Sequence, residues 1–250
     1  VAFFGHVDHG KTSLIKKCIN NKFLTQEYGG ISQNITGYNL ENFSIIDTPG
    51  HAVLDIMRQE IIQIIDIGIL IIAANEGIKE QTEQCLKYIT ENNKKLIVVI
   101  NKIDLSTKEQ IDAIKDDLVE RDINVLEEIP LLTVSAIKSK DFNKKLAKEI
   151  KKLEKEITTY KTNNTTGFIL DSQLTRQGIT TTILINSGEL KYKDIITTEG
   201  AFGKVKALND YTNKKLKSAK PGEIVNILGF NKIVNICLLY TSDAADDGLC

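Results

Sequence analysis

Residues 1–12 read Val-Ala-Phe-Phe-Gly-His-Val-Asp-His-Gly-Lys-Thr. A short apolar run leads into two glycines separated by four residues, then Lys-Thr, then a stretch patterned as a helix over Lys11–Ile19. That is the phosphate-loop pattern in the strand-to-helix context it requires. Gly5 and Gly10 permit a tight backbone path on which successive N–H groups point at phosphate oxygens, and the helix N-terminus adds a favourable dipole. In this pattern Lys11 bridges the β- and γ-phosphates and Thr12 offers its hydroxyl to Mg²⁺. His6, Val7, Asp8, His9, Gly10 and Ser13 complete the candidate phosphate-binding segment.

Outward from the loop, apolar runs alternate with helical patterns. Val1–Phe4, Ser44–Ile46, Ile67–Ala74, Leu96–Ile100 and Leu131–Val134 read as strands with little polar alternation, as expected where helices cover both faces. Gln81–Glu91, Lys108–Glu120 and Phe142–Thr158 read as helices between and after them. The expected fold is α/β, a doubly wound and mainly parallel sheet over residues 1–161. Thr162–Thr166 is a polar linker. Beyond it, Gly167–Leu174, Ile179–Asn186, Asp194–Thr198, Gly203–Leu208 and Glu223–Leu228 are short β-rich runs split by Gly, Asn, Asp and Pro. They predict a small antiparallel β-barrel over 166–236.

Two more motifs sit at strand ends. Asp47-Thr-Pro-Gly50-His51 follows Ser44–Ile46, where Asp47 can hold Mg²⁺, commonly through water, and the Gly50 N–H can approach a γ-phosphate. Asn101-Lys102-Ile103-Asp104 follows Leu96–Ile100. A carboxylate at Asp104 accepts from both guanine N1–H and the N2 amine, a donor pair adenine lacks. Asn101 can brace the loop and the Lys102 stem can cover the base. Ser135-Ala136-Ile137 ends the next strand, where a backbone N–H can reach guanine O6. The last two motifs are weak alone; their place at strand ends beside a phosphate loop makes them strong. All three histidines, His6, His9 and His51, fall within these motifs. His51 is the candidate catalytic residue, a hydrogen-bonding side chain directly after the γ-phosphate-sensing Gly50, whereas His6 and His9 serve equally well as residues that shape the loop.

Composition sets the outer bounds. Of 250 residues, 42% are hydrophobic and 26% charged, which excludes wholesale disorder. No apolar run is long enough to span a bilayer. Four Cys without metal-ligand spacing fit a reducing compartment better than a disulfide framework. The net charge of −1 hides a division: residues 1–137 carry 13 basic and 20 acidic side chains, residues 138–236 carry 19 and 10. The basic excess suits an RNA partner or a solvated Lys-rich surface. Met57 is the only Met, so a missing N-terminus is expected.

The motif set resembles the translational GTPases. Glu27-Tyr-Gly-Gly30-Ile31-Ser32-Gln33-Asn34-Ile35 is more selective and is similar to the first switch of bacterial-type translation initiation factor 2. The stretches Asn186–Leu190, Lys193–Ile195, Gly203–Val205 and Ile227–Gly229 resemble that family's second domain. The resemblance implies GTP and GDP as ligands, Mg²⁺ held by Thr12, Ser32 and Asp47, and a monovalent cation (K⁺ or Na⁺) beside Asp8. It also implies a hydrophobic gate of Val7 and Ile31, with His51 positioning the attacking water. Expected partners are the ribosome and ribosomal RNA, with initiator tRNA only in a full-length protein, no membrane, and a monomer that is cytoplasmic or organellar. Ser32, Asn34 and Thr36 depart from the family's usual Thr, His and Gly. Another translational GTPase, or a module that binds GTP with negligible hydrolysis, are the alternatives. Finally, Cys237–Asp247 resembles one reading frame of a transposase adapter used in sequencing libraries. That implies a tail, 237–250, that packs poorly and leaves a barrel edge unpaired.

Overall fold

The computed structural model describes residues 1–19, 35–41, 43–48, 55–123, 128–157 and 164–241. Its contacts divide the chain into two compact units, one of residues 1–33 and 46–158, the other of 34–45 and 159–250.

One six-stranded sheet is ordered β2-β3-β1-β4-β5-β6, and all of it except β2 and the first half of β3 belongs to the first unit. The strands are β1 (Ala2–Gly5), β2 (Thr36–Asn39), β3 (Ser44–Asp47), β4 (Ile67–Ala73), β5 (Lys95–Asn101) and β6 (Leu131–Thr133). The pairs β1·β3, β1·β4, β4·β5 and β5·β6 are all parallel. All seven residues of β4 are buried, and so are six of the seven in β5. This is why these runs are continuously apolar: helices cover both faces, so neither face can be polar. The helices are α1 (Lys11–Cys18), α2 (Asp55–Ile64), α3 (Glu80–Glu91), α4 (Lys108–Val119) and α5 (Phe142–Glu154). In α5 the buried Phe142, Leu146, Ile150 and Leu153 recur at three- and four-residue spacing, leaving the lysines between them on the solvent side. A capping box starts α4, with Thr107 accepting from the Gln110 N–H and the Gln110 side chain accepting from the Thr107 N–H.

The second unit is a closed barrel of order β10-β11-β13-β8-β7-β14. Its strands are β7 (Thr166–Thr175), β8 (Gly178–Ser187), β10 (Ile195–Thr198), β11 (Ala201–Asn209), β13 (Ile224–Phe230) and β14 (Cys237–Thr241). A two-stranded ladder of β9 (Leu190–Lys191) and β12 (Ser218–Ala219) accompanies it. Inward-facing Ile169, Ile183, Ile185, Ile196, Val205, Val225, Ile227 and Leu239 fill its core.

Two expectations change. Residues 237–241 do not pack poorly: β14 pairs antiparallel with both β7 and β10, and Leu239 is fully buried. Ladder bonds come from the backbone, so an apolar segment of the right length can close the barrel whatever its origin. Residues 242–250 lie outside the described residues. The second change is that a single cut near 161 does not divide the contacts, because residues 34–45 group with the barrel. There Asn39 acts as a backbone mimic: its Oδ1 accepts from Ile224 N–H and its Nδ2 donates to Ile224 C=O, both at 2.7 Å.

Among the described residues, no helix is long and apolar enough to cross a membrane.

Candidate functional site

In a parallel sheet all strand C-termini point one way, and the crevice outside them is where ligands bind. The loops after β1, β4, β5 and β6 are joined to one another there, and Asp47 and Thr48 at the end of β3 lie beside them. The phosphate loop needs its glycines for space as well as for torsion. Gly10 has φ 88°, and a Cβ there would lie 2.3 Å from Asn101 Nδ2; a Cβ on Gly5 would lie 2.7 Å from Ile71 O. Asp8 adopts φ 64°, an uncommon conformation that Asp tolerates better than most residues. Leu14 N–H donates to Gly10 C=O at 3.0 Å, so the helix starts at once after the loop.

Lys11 is buried, its ammonium donating to Thr48 C=O and lying 3.9 Å from Asp47 Oδ1. Asp47 is itself 2% exposed at the end of β3, in register with Phe3 of β1. Thr48 donates to Phe3 C=O at 2.7 Å, tying the β3 loop back to β1. The expected phosphate-binding lysine and metal-binding carboxylate are therefore brought together, with Thr12 in the first turn of α1. No group of three or more His, Cys, Asp or Glu side chains that could hold a metal occurs among the described residues. One hydroxyl and one buried carboxylate beside a lysine make a partial oxygen donor set. That fits Mg²⁺, which keeps several waters and takes phosphate oxygens rather than a protein cage. Gly50, His51, Ile31 and Ser32 lie outside the described residues.

The base side is joined to the phosphate side by one amide. Asn101, at the end of β5 and 1% exposed, donates from Nδ2 to His9 C=O at 3.0 Å. Its Oδ1 accepts from Ala136 N–H at 2.9 Å. The bracing expected of Asn101 is thus directed at both neighbouring loops. Beyond β6, Ala136 N–H serves Asn101, while Ile137 and Lys138 N–H serve Ser135 Oγ. Hydrogen bonding from the Ser135 side chain is the largest of the causes that hold the Asp104 carboxyl below the usual range, so it is ionised and acceptor-only at neutral pH.

His9 is fully buried. Its Nδ1 donates to Ile71 C=O at 3.2 Å, and Nε2 lies 3.7 Å from Glu76 Oε2. Burial pushes its pKa down to about 4, so it is a neutral residue that shapes the loop. His6 packs edge-on against it, with ring centroids 5.2 Å apart.

Glu76 was invisible in the sequence. It lies in the turn after β4, where it meets Lys102 Nζ at 3.0 Å as well as His9. Hydrogen bonding from Lys102 holds its carboxyl below the usual range. Lys102 adopts φ 59°, and its ammonium is held at Glu76. A lone Glu in a turn matches no motif; only its place at the ligand-bearing end of β4 offered a signal.

A family model described as elongation factor Tu GTP binding domain matches residues 21–163. The chain belongs to that family. A second model, elongation factor G domain 2, matches residues 164–237. The chain is 36% identical over 242 residues to translation initiation factor IF-2 of Buchnera aphidicola, covering 93% of this chain and 28% of that protein. It is 34% identical to the IF-2 of Kosmotoga olearia, covering 98% of this chain and 37% of that one. The chain thus spans about a third of the length of the initiation factors it matches. Among solved structures, a bacterial selenocysteine-specific elongation factor superposes with TM-score 0.77 at 24% identity over 97% of this chain and 44% of that one. GDP-bound aIF5B from Aeropyrum pernix gives 0.75 at 20% identity over 98% of this chain and 54% of that one. At these identities the superpositions speak for the fold, a translational GTPase sheet followed by a six-stranded barrel.

Proposed function

We propose that this chain binds GTP and GDP with Mg²⁺ and hydrolyses GTP to GDP and phosphate, as the G domain and second domain of a translation initiation factor working on the ribosome. The observation that carries this reading is the Asn101 amide. It joins the phosphate loop at His9 to the base loop at Ala136, as a site for one molecule with a phosphate end and a base end requires. The named relatives, all initiation factors, favour this reading over another translational GTPase.

Lys11 and the backbone N–H groups after Gly5 bind the phosphates, and Asp104 selects guanine. Thr12, Ser32 and Asp47 hold Mg²⁺, which would neutralise charge on the phosphate oxygens. Asp8 holds a monovalent cation. His51 orients the attacking water behind Val7 and Ile31, and a ribosomal contact swings it inward. The partners are the ribosome and its RNA, with placement of initiator tRNA and subunit joining belonging to a longer protein. The chain works as a monomer in the cytoplasm or an organelle.

Single-turnover GTP hydrolysis with and without ribosomes tests this. His51→Ala should leave GDP affinity within about twofold and lower stimulated hydrolysis by at least ~10²-fold, as for a positioned acid–base group. Equal loss of binding and turnover would make His51 structural. No stimulation in the unsubstituted chain would favour a module that only binds.

A further inference from the structure

The last turn of α1 holds a lysine that no nucleotide-binding motif contains. Lys17 is half-buried there, and a cation near a helix C-terminus ordinarily does no more than offset the helix dipole. This one reaches across the fold. Its ammonium donates to Ser139 C=O at 2.5 Å, while Asn143 Nδ2, in the first turn of α5, donates back to Lys17 C=O at 2.5 Å. Two bonds of opposite direction thus clamp the far end of the helix that the phosphate loop opens to the turn that follows β6.

That turn is closed on itself. Ser139 N–H donates to Ser135 C=O at 2.9 Å, and Ser135 N–H donates to Ser139 Oγ at 2.9 Å. Within it the Ser135 hydroxyl accepts from Ile137 N–H at 3.3 Å and from Lys138 N–H at 3.1 Å. Both oxygen lone pairs are then in use, which leaves the single hydroxyl hydrogen for the Asp104 carboxylate, the group it bonds. The backbone beside Asp104 is held at the same place, since Ile103 N–H donates to Val134 C=O at 3.3 Å. A turn closed this way moves as one body. Lys17 fixes its far corner; with that corner released, the turn can rotate about the end of β6 and carry the Ser135 hydroxyl away from Asp104.

We propose that Lys17 is a positioning residue for guanine selection, anchoring the turn whose Ser135 hydroxyl orients the Asp104 carboxylate. The inference rests on the reading of Asp104 as the guanine-selecting group and adds to it a residue outside the motifs. An oriented carboxylate accepts from both the N1–H and the N2 amine of guanine, whereas one free to turn holds the N1–H and loses the amine. Hypoxanthine has the N1–H and lacks the amine, so inosine diphosphate (IDP) reads the difference.

The test measures GDP and IDP affinities with Mg²⁺ on the full chain. The unsubstituted chain should prefer GDP by about tenfold or more, as for one hydrogen bond to a charged acceptor. Lys17→Met keeps the stem and removes the ammonium. It should reduce that preference by about threefold or more, with GDP weakened and IDP nearly unchanged. Ser139→Ala breaks the next link without altering α1 and should reduce it likewise. Because the two act in series, the double variant should lose no more than the larger single effect. Lys17→Arg retains a donor at similar reach and should restore most of the preference. Lys16→Met, one residue away, is the charge control and should match the unsubstituted chain. Equal weakening of GDP and IDP in Lys17→Met would make the contact a helix-packing tie and overturn the proposal. So would an undiminished preference in Ser139→Ala, the variant that decides if Lys17→Met does not fold. An unsubstituted chain with no preference for GDP over IDP would count instead against Asp104 as the guanine-selecting group.

Discussion

The proposed guanine site of the first unit and the cavity of the barrel lined by Lys191, Lys206, Lys215 and Lys217 are held differently. In the first, side chains of one loop bond the backbone or side chain of another: Asn101 to His9 and Ala136, Lys11 to Thr48, Glu76 to Lys102. In the second, backbone ladders hold the frame and three lysines carry no partner among the described residues. A cross-bonded site has its donors and acceptors fixed before a ligand arrives, so it discriminates by geometry and responds weakly to salt. A frame bearing unpaired cations attracts many anions and draws what selectivity it has from shape.

The largest effect that would sharpen this contrast comes from Asn101→Ala. It strands the buried His9 carbonyl and the Ala136 N–H at about 1–3 kcal/mol each, so guanine nucleotide affinity should fall by roughly 10²-fold or more. Isothermal titration with GDP checks this. Retained GDP affinity would break the claim that cross-bonds make the site.

Acid comes next. His9 has its pKa lowered from 6.5 to about 4 in the folded chain, so the unfolded chain takes up this proton first as pH falls. The stability held by neutral His9 is complete above about pH 6.5 and is lost as pH drops toward 4, by roughly 3 kcal/mol at most. The barrel segment contains no His and lacks this slope. Urea midpoints of the unsubstituted chain and His9→Gln, measured from pH 7 to 4.5, should converge as pH falls; a constant gap would remove His9 from the account.

The smallest effect belongs to Glu76→Gln. The Glu76–Lys102 pair is about a quarter to a third exposed, so it contributes at most about 1 kcal/mol. GDP affinity should drop about two- to fivefold, and the drop should shrink in 1 M salt. An effect as large as that of Asn101→Ala would mean that the ion pair, not the amide, is what joins the loops.

The sheet was legible because its strands are buried on both faces. Ile67–Ala73 and Lys95–Asn101 have no polar face to confuse them with anything else. β2 escaped notice because Thr36-Gly-Tyr-Asn39 is short and polar. In α2, Arg58, Ile61 and Ile62 are buried at helical spacing, with Ile65 just beyond, but an arginine among them breaks the apolar pattern. β14 packs against expectation because its residues alternate, Leu239 and Thr241 turning inward. The phosphate, metal and base motifs could be read directly, each being contiguous. Glu76 and the lysine cavity could not, because their partners come from segments far apart in the chain: residues 9, 76 and 102 in one case, residues 191–218 in the other.

The central claim is the proposal that the loops after β1, β5 and β6, with Asp47 and Thr48 at the end of β3, form one guanine nucleotide site. Asp104→Asn tests it most directly, because it exchanges a double acceptor for one donor and one acceptor without removing any loop-to-loop bond to Asn101. Affinities for GDP and for xanthosine diphosphate should be measured side by side on both proteins. The unsubstituted chain should prefer GDP. The variant should prefer the xanthine nucleotide, with GDP weakened by at least about tenfold, as for a lost pair of buried hydrogen bonds. An unchanged preference for GDP in the variant would take Asp104 out of the base pocket and contradict the site as assembled here.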